Sequence, residues 1–178
     1  MVIWITGLTA SGKTTLSKML EKKLIKDGYK KIILLDGDTL RNKGKLKKGH
    51  SLNIRLINSR LIMDLVSAEL KINKVVIVST ISHLEQMRIE ARKKLNNFIE
   101  IFLDCSPLVC EQRDYKNLYQ KAKNKSLPKG DIFPGVTEPY QKSKNPDLII
   151  NTELEDVNKS FNKLYNFCIK HIKNEGKL

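Results

Sequence analysis

Apolar and polar residues alternate along the chain in two repeating patterns. Short continuous apolar runs such as VIWIT, KIILL and KVVIVST are typical of strands buried on both faces of a parallel sheet. Between these runs, apolar residues recur at helical spacing, and the first such segment ends at Asp27-Gly28, a pair that commonly stops a helix. The pattern predicts five strands, at residues 2–6, 31–35, 74–80, 98–103 and 147–151. It predicts five helices, at residues 13–27, 53–71, 84–96, 106–124 and 154–173.

The order of these elements, strand then helix throughout, predicts an α/β fold with a parallel five-stranded sheet flanked by helices. One segment interrupts the alternation, since residues 125–146 contain four of the five prolines. A loop of this length is usually functional or disordered. We expect it to form most of a lid, at about 113–146. With 178 residues and no linker, we expect a single domain over residues 1–178.

Residues 7–14 read GLTASGKT and lie between the first predicted strand and the first predicted helix. The spacing Gly7-x-x-x-x-Gly12-Lys13-Thr14 predicts a phosphate-binding loop, hence a P-loop NTPase fold, because glycines let backbone N–H groups surround a polyphosphate. Lys13 would reach the β- and γ-phosphates of ATP, and Thr14 would hold Mg²⁺. A glycine-containing turn with a chance lysine is the alternative, and the strand and helix on either side argue against it. The predicted ATP-binding residues here are Gly7, Leu8, Thr9, Ala10, Ser11, Gly12, Lys13, Thr14 and Thr15.

A pair of acidic residues follows the second predicted strand in the sequence LDGDTLR. The carboxyl ends of parallel strands converge on the ligand crevice, so this pair should lie beside the phosphate-binding loop. Asp36 is the candidate for the Mg²⁺ shell, and Asp38 for orienting or deprotonating an acceptor hydroxyl. Either could instead cap a turn. Arg41 could hold a phosphate of the acceptor. Together with Lys13, the two aspartates are the predicted catalytic residues.

The formal net charge of +14 adds a second function class. Residues 39–63 contain seven lysines or arginines and no acidic residue, so they could face an anionic ligand or form a solvated surface. A basic, nucleic-acid-associated P-loop ATPase stays an alternative, and its affinity for DNA would fall steeply with salt.

No apolar run approaches the roughly 18 residues of a membrane helix. Three cysteines match no metal or disulfide spacing, so we expect reduced thiols and a cytoplasmic protein.

Four motifs, in order, resemble those of the adenylylsulfate kinase family. The chain has GLTASGKTT where members carry a GLSGAGKST-like loop, and LDGDTLR where they carry LDGDNVR. It has VCEQRDYKNLYQKA at 109–122 and FPGVTEPYQKSKNPDLIINT at 133–152, similar to the family's lid and C-terminal motifs. The resemblance implies a kinase that uses ATP and Mg²⁺. Its acceptor would be the 3′-hydroxyl of a nucleotide with a 5′ sulfate–phosphate anhydride. A homodimer is an assembly that the resemblance allows.

The resemblance also implies an acceptor site, and there the chain departs from the family. Members usually carry a longer segment after DGDNVR, with a phenylalanine that stacks on adenine, whereas Arg41 is followed here by NKGKLKKGHSL. The family's ENIRR is LNIRL here, and its ISPYR is ISHLE. Phe133 is the one stacking face that remains. The implied acceptor-binding residues are Asp38, Arg41, Asn53, Arg55, Ser82, Lys116 and Phe133.

Two further interpretations concern charged side chains near these motifs. Arg113 would contact ATP, with a lid-anchoring ion pair to Asp114 as the alternative. His83 and His171 are expected to be ordinary surface histidines.

The departures favour a changed acceptor. Stacking on one base contributes about 1–3 kcal/mol, so the loss of one aromatic face fits a smaller base. We therefore favour cytidine diphosphoramidate, an intermediate of capsule precursor synthesis, over adenylylsulfate, which stays the alternative. A nucleoside monophosphate kinase would share the fold but lacks LDGD-x-x-R and FPG. The predicted partner is a small-molecule nucleotide, and neither a nucleic acid nor a membrane.

Overall fold

A computed structural model describes residues 1–174 and shows a parallel sheet of five strands. The spatial order is β2-β3-β1-β4-β5, and every neighbouring pair is parallel. The strands are β1 (Val2–Gly7), β2 (Ile32–Asp36), β3 (Val75–Ser79), β4 (Phe98–Asp104) and β5 (Leu148–Asn151). The predicted fold class is confirmed, because all five predicted strands are present and helices flank the sheet.

Seven helices lie within residues 1–174, two more than predicted. They are α1 (Lys13–Lys26), α2 (Gly37–Asn42), α3 (Leu52–Glu69), α4 (Glu85–Lys94), α5 (Pro107–Gln112), α6 (Leu118–Lys123) and α7 (Val157–Asn174). The prediction of one helix over 106–124 is wrong. Asn117 has a left-handed backbone (φ 54°), and the Asp114 carboxylate accepts a hydrogen bond from the Tyr119 amide at 2.9 Å. Both features separate α5 from α6.

The sheet is covered on both faces, as its continuous apolar strands require. Ile3, Ile5 and Ile101 pack with the buried residues of α1 and α7. On the opposite face, Val2 and Trp4 pack with the buried residues of α3 and α4. Each face removes apolar surface from water, and this burial is the dominant stabilising contribution to such a fold.

A third apolar cluster joins the lid to the phosphate-binding loop. Leu8 packs there with Cys105, Cys110, Tyr119 and Phe133, all of them buried. The segments that follow β1 and β4 therefore pack against the lid at the C-terminal end of the sheet. The predicted single domain includes residues 175–178, which lie outside the described residues. No helix within residues 1–174 is both long and apolar enough to span a membrane.

Candidate active site

The phosphate-binding loop is shaped by two glycines. A Cβ atom on Gly7 would come within 2.8 Å of the Leu103 carbonyl oxygen, so only glycine lets β1 and β4 approach this closely. Gly12 is the N-cap of α1 and has a left-handed backbone (φ 97°) that other residues rarely adopt. These two positions turn the chain from β1 into α1. The positive end of α1 therefore points into the cavity described below.

Lys13 is the most strongly perturbed group of this loop. Its side chain is buried, and Nζ donates a 2.6 Å hydrogen bond to the Leu8 carbonyl oxygen. Burial lowers the pKa of Lys13 to about 8, and the charges of nearby Asp38 and Asp36 partly oppose this shift. An anion would stabilise this buried ammonium, and a phosphate is the anion that the backbone N–H groups of the loop would also bind.

Thr14 and Asp36 lie together, as a shared Mg²⁺ site requires. The Thr14 hydroxyl donates to Asp36 Oδ2 at 2.9 Å, and the Thr39 amide donates to Asp36 Oδ1 at 3.0 Å. Burial raises the pKa of Asp36, but the hydrogen bonds from Thr39 and Thr14 outweigh it and keep the pKa below its usual value. Asp36 is therefore ionised at neutral pH. It also caps α2, as the alternative interpretation proposed, while its place in the Mg²⁺ shell stays a prediction.

The chemistry of these donors fits Mg²⁺. The ion prefers oxygen ligands, and it usually takes one or two carboxylates together with water and substrate phosphates. Within residues 1–174 no group of three or more His, Cys, Asp or Glu side chains could hold a metal. Thr14 and Asp36 supply two oxygen ligands, so they would bind Mg²⁺ together with water and the phosphates of ATP.

Asp38 lies two residues further on, in the first turn of α2, and its side chain is 72% exposed. Its Oδ2 is 3.5 Å from Nζ of Lys116, which belongs to the lid. The charge of Asp38 raises the pKa of Lys116. The contact joins α2 to the lid, and the carboxylate stays largely exposed to solvent.

A cavity of about 760 Å³ connects these groups. Its wall includes the phosphate-binding loop, both aspartates, and Arg113 and Lys116 of the lid. Further parts of the wall come from α3, from residues between Thr152 and Ser160, and from the loop of residues 80–84 between β3 and α4, which we call the acceptor-wall loop. The predicted acceptor-binding residues that the cavity brings together are Asp38, Arg41, Arg55, Ser82 and Lys116.

Arg55 is less free than the sequence suggests. Its Nε donates to the His50 carbonyl oxygen at 3.0 Å, and its Nη2 donates to the Ile132 carbonyl oxygen at 2.9 Å. Burial lowers the pKa of Arg55 to about 10, and the charge of Arg41 adds to the effect, so the guanidinium is still cationic at neutral pH. Arg55 thus joins α3 to the lid while presenting positive charge to the cavity.

The structure does not bring two predicted acceptor residues to the cavity wall. Asn53 is exposed in the first turn of α3 and lies outside the wall. Phe133 is buried in the lid cluster, where its ring packs edge-on against Tyr119 with 4.9 Å between centroids. It therefore does not present a stacking face to the cavity in this conformation.

Two side-chain interpretations need correction. His83 is not a surface histidine but only 1% exposed, and burial together with the charges of Arg55 and Arg88 lowers its pKa to about 4. His171 is half-buried against Phe167. Arg113 makes no ion pair with Asp114 in the described structure.

Arg113 instead donates to the Thr152 carbonyl oxygen at 2.9 Å, and Asp114 caps α6. Thr152 in turn donates to the Ser11 carbonyl oxygen at 3.0 Å, so Arg113 supports the phosphate-binding loop from behind as well as lining the cavity.

Several wall residues were missed by the sequence analysis. Asn58 is buried and makes hydrogen bonds to both the amide and the carbonyl of Lys47. These bonds fix residues 43–51 between α2 and α3, which we call the lysine-rich loop, against α3. Tyr115 is 86% exposed at the bend of the lid and lines the cavity. The sequence offered one signal for each: Asn58 is a polar residue on the inner face of α3, and Tyr115 is a tyrosine within the lid motif.

The fold and this site define an ATP-dependent phosphotransferase with an alcohol group as acceptor, of the P-loop kinase class. Comparison with known proteins narrows the class to a family. The family model for adenylylsulphate kinase matches residues 1–151. The chain therefore belongs to the adenylylsulfate kinase family, and the predicted use of ATP and Mg²⁺ is confirmed for it.

The individual similarities extend over most of the chain. A probable adenylyl-sulfate kinase of Synechocystis is 37% identical over 165 residues, covering 93% of this chain and 91% of the relative. The adenylyl-sulfate kinase of Staphylococcus epidermidis is 36% identical over 172 residues, covering 96% and 84%. The Mycobacterium tuberculosis APS kinase in complex with AMPPNP and APS has a TM-score of 0.78 at 32% identity, covering 97% of this chain and 96% of that one.

Proposed function

We propose that this protein transfers the γ-phosphoryl group of ATP to the 3′-hydroxyl of adenylylsulfate. The observation that carries the proposal is the family match over residues 1–151, together with relatives named adenylyl-sulfate kinase at 34–37% identity. These similarities support adenylylsulfate better than cytidine diphosphoramidate, which the sequence analysis favoured.

The residues of the cavity support the same reaction. Lys13 and the loop backbone would stabilise the negative charge of the transferring phosphoryl group, which is the main catalytic contribution in such reactions. Thr14 and Asp36 would hold Mg²⁺. Asp38 would orient the acceptor hydroxyl, or accept its proton, from its exposed position in α2.

The positive charges at the far end of the cavity suit the acceptor's anionic groups. Arg41 and Arg55 both line the cavity, and burial together with the charges of these two arginines lowers the pKa of nearby His50. A sulfate–phosphate anhydride carries two adjacent anionic groups, and hydrogen bonds from charged donors to such groups contribute about 1.5–3 kcal/mol each.

Cytidine diphosphoramidate is kept as a second candidate acceptor because of one observation. The wall of the cavity contains neither Phe133 nor any aromatic residue from the lysine-rich loop. Its aromatic rings are Tyr115 and His83. A site with less aromatic surface accepts a pyrimidine with less loss of stacking than a purine.

A coupled ADP-release assay distinguishes the candidates. Adenylylsulfate, cytidine diphosphoramidate and plain nucleoside monophosphates are each titrated at saturating ATP and Mg²⁺. We expect the highest kcat/KM with adenylylsulfate. A higher kcat/KM with cytidine diphosphoramidate would contradict the proposal and identify cytidine diphosphoramidate as the preferred acceptor. No acceptor-dependent ADP release with either anhydride would overturn both.

A matched pair of variants ties the result to the site. Arg41→Gln should raise the acceptor KM by roughly ten-fold or more, because a charged hydrogen bond is lost. Lys48→Gln removes the same charge from the neighbouring loop, outside the cavity wall, and should leave the acceptor KM nearly unchanged.

A further inference from the structure

Two charged residues are buried behind the acceptor-wall loop. Arg88 of α4 and Glu100 of β4 are 2% and 3% exposed, and Nε of Arg88 is 3.1 Å from Oε1 of Glu100. Removing two charges from water costs about as much as their attraction returns, so such a pair contributes little net stability. Its presence beside the site calls for another explanation.

The remaining donors of Arg88 supply that explanation. Nη1 donates to the Ser82 carbonyl oxygen and Nη2 to the Gln141 carbonyl oxygen, both at 2.6 Å. Ser82 belongs to the acceptor-wall loop and Gln141 to the lid. One guanidinium, ion-paired with Glu100, therefore donates hydrogen bonds to both segments.

Further hydrogen bonds join the same two segments. The Gln141 amide donates to the His83 carbonyl oxygen at 2.9 Å, and the Glu85 amide donates to Gln141 Oε1 at 2.8 Å. Arg88 also lies over the ring of Tyr140, 5.6 Å from its centroid. The end of the lid and the wall of the cavity thus form one connected unit around Arg88.

Ser82 needs to be held in place. Its backbone has a positive φ of 41°, a conformation that residues other than glycine adopt only when the surroundings impose it. Its hydroxyl accepts a hydrogen bond from Trp4 Nε1 at 3.2 Å, and its carbonyl accepts from Arg88. Without Arg88, the carbonyl side of this restraint is lost and the loop can relax away from the strained conformation.

We propose that Arg88 is a positioning residue for the acceptor nucleotide. It sets the acceptor-wall loop against the lid through Ser82 and Gln141, and Glu100 fixes the guanidinium for this task. The proposal rests on the proposed function in one respect, namely that the acceptor binds at the part of the cavity lined by Ser82 and His83. ATP would bind at the phosphate-binding loop, and its binding should not depend on Arg88.

The chain contains a matched control one helical turn away. Arg92 of α4 also pairs with Glu100 (3.7 Å) and with Asp147 (2.6 Å), but it makes no hydrogen bond to the acceptor-wall loop or to Gln141 in the described structure. Arg92→Lys thus perturbs the same ionic network without removing a contact to the cavity wall.

The test compares three variants. They are Arg88→Lys, the double variant Arg88→Met with Glu100→Gln, and Arg92→Lys. The KM for the acceptor is measured at saturating ATP, and the KM for ATP is measured at saturating acceptor. The double variant avoids leaving a lone carboxylate buried, which could unfold the protein. We expect the acceptor KM of both Arg88 variants to rise by roughly ten-fold or more, since small displacements of binding groups have large effects. The KM for ATP should stay within about two-fold of wild type, as should both KM values of Arg92→Lys.

Amide hydrogen exchange gives a readout that needs no acceptor. The amides of Gln141 and Glu85 should exchange faster in the double variant and at the wild-type rate in Arg92→Lys. An unchanged acceptor KM, an equal rise in both KM values, or unchanged exchange at these two amides would each overturn the proposal. If wild type turns over neither anhydride, the proposed function fails, while the exchange experiment still decides whether Arg88 couples the two segments.

Discussion

Replacing Lys13 by methionine should greatly reduce catalysis while leaving the protein folded. Methionine has nearly the same length as lysine but no charge, so it can occupy the same buried position. Turnover should fall by orders of magnitude, because the ammonium is the side-chain cation that stabilises the transferring phosphoryl group. The fold should survive, since the head group packs against the loop and is not part of the apolar core.

The effect on stability follows from the pKa of Lys13. A shift of this pKa from 10.5 to about 8 corresponds to a net cost of about 3 kcal/mol for keeping the ammonium in the folded state, and this net cost already includes the 2.6 Å hydrogen bond to the Leu8 carbonyl. Methionine carries no charge and removes this cost, so at pH 7 we expect the free energy of unfolding of Lys13→Met to be equal to that of wild type or higher by up to about 3 kcal/mol.

The pH dependence has a definite sign. Between pH 8 and pH 10.5 the unfolded chain retains the Lys13 proton that the folded protein has already released, so raising the pH favours the folded state. Wild type should therefore gain about 3 kcal/mol relative to Lys13→Met across this window, and nothing below it. Other titrating groups cancel in the difference between the two proteins.

Urea unfolding of both proteins at several pH values measures this difference directly, and ADP release measures turnover on the same samples. A difference that does not change with pH would refute the inference of a buried ammonium with a lowered pKa. Turnover within a few-fold of wild type, in a folded variant, would refute the role of Lys13 in catalysis.

Two further predictions test the aspartates and the lid. Asp38→Asn should lower kcat far more than it raises the KM for ATP, whereas the activity of Asp36→Asn should recover in part at high Mg²⁺; identical behaviour in steady-state kinetics would contradict this division of roles. Gly135→Ala should destabilise the protein by about 1–3 kcal/mol, because φ is +92° and the added Cβ would come within 2.8 Å of Leu8. Gly130→Ala has a similar φ of +83° but open space, so a urea melt should show a smaller loss there, and equal losses would exclude the contact with Leu8 as the cause.

Local patterns were sufficient for most of the fold. Strands buried on both faces must be continuously apolar, so their runs are visible in the sequence, and the predicted sheet is confirmed. The phosphate-binding loop is also local, because its glycine spacing, lysine and threonine act within eight consecutive residues. Asp36 and Asp38 could be placed beside it because parallel strands carry their C-terminal ends to the same edge.

The break between α5 and α6 was not predictable from helical periodicity. It depends on a left-handed residue at Asn117 and on a cap from Asp114, and neither interrupts the pattern of apolar positions. The short helix α2 was likewise missed, because six residues are too few to show a period.

The acceptor end of the site was decided by tertiary structure. Whether Phe133 faces the cavity or the lid cluster depends on its contact with Tyr119, fourteen residues earlier. His83 is buried where its carbonyl oxygen accepts a hydrogen bond from the Gln141 amide of the lid. The donors of Arg55 are directed by carbonyl groups at positions 50 and 132. The sequence shows which residue types are present at these positions. The orientation and burial of each side chain, however, depend on segments that are distant in sequence and come together only when the chain folds.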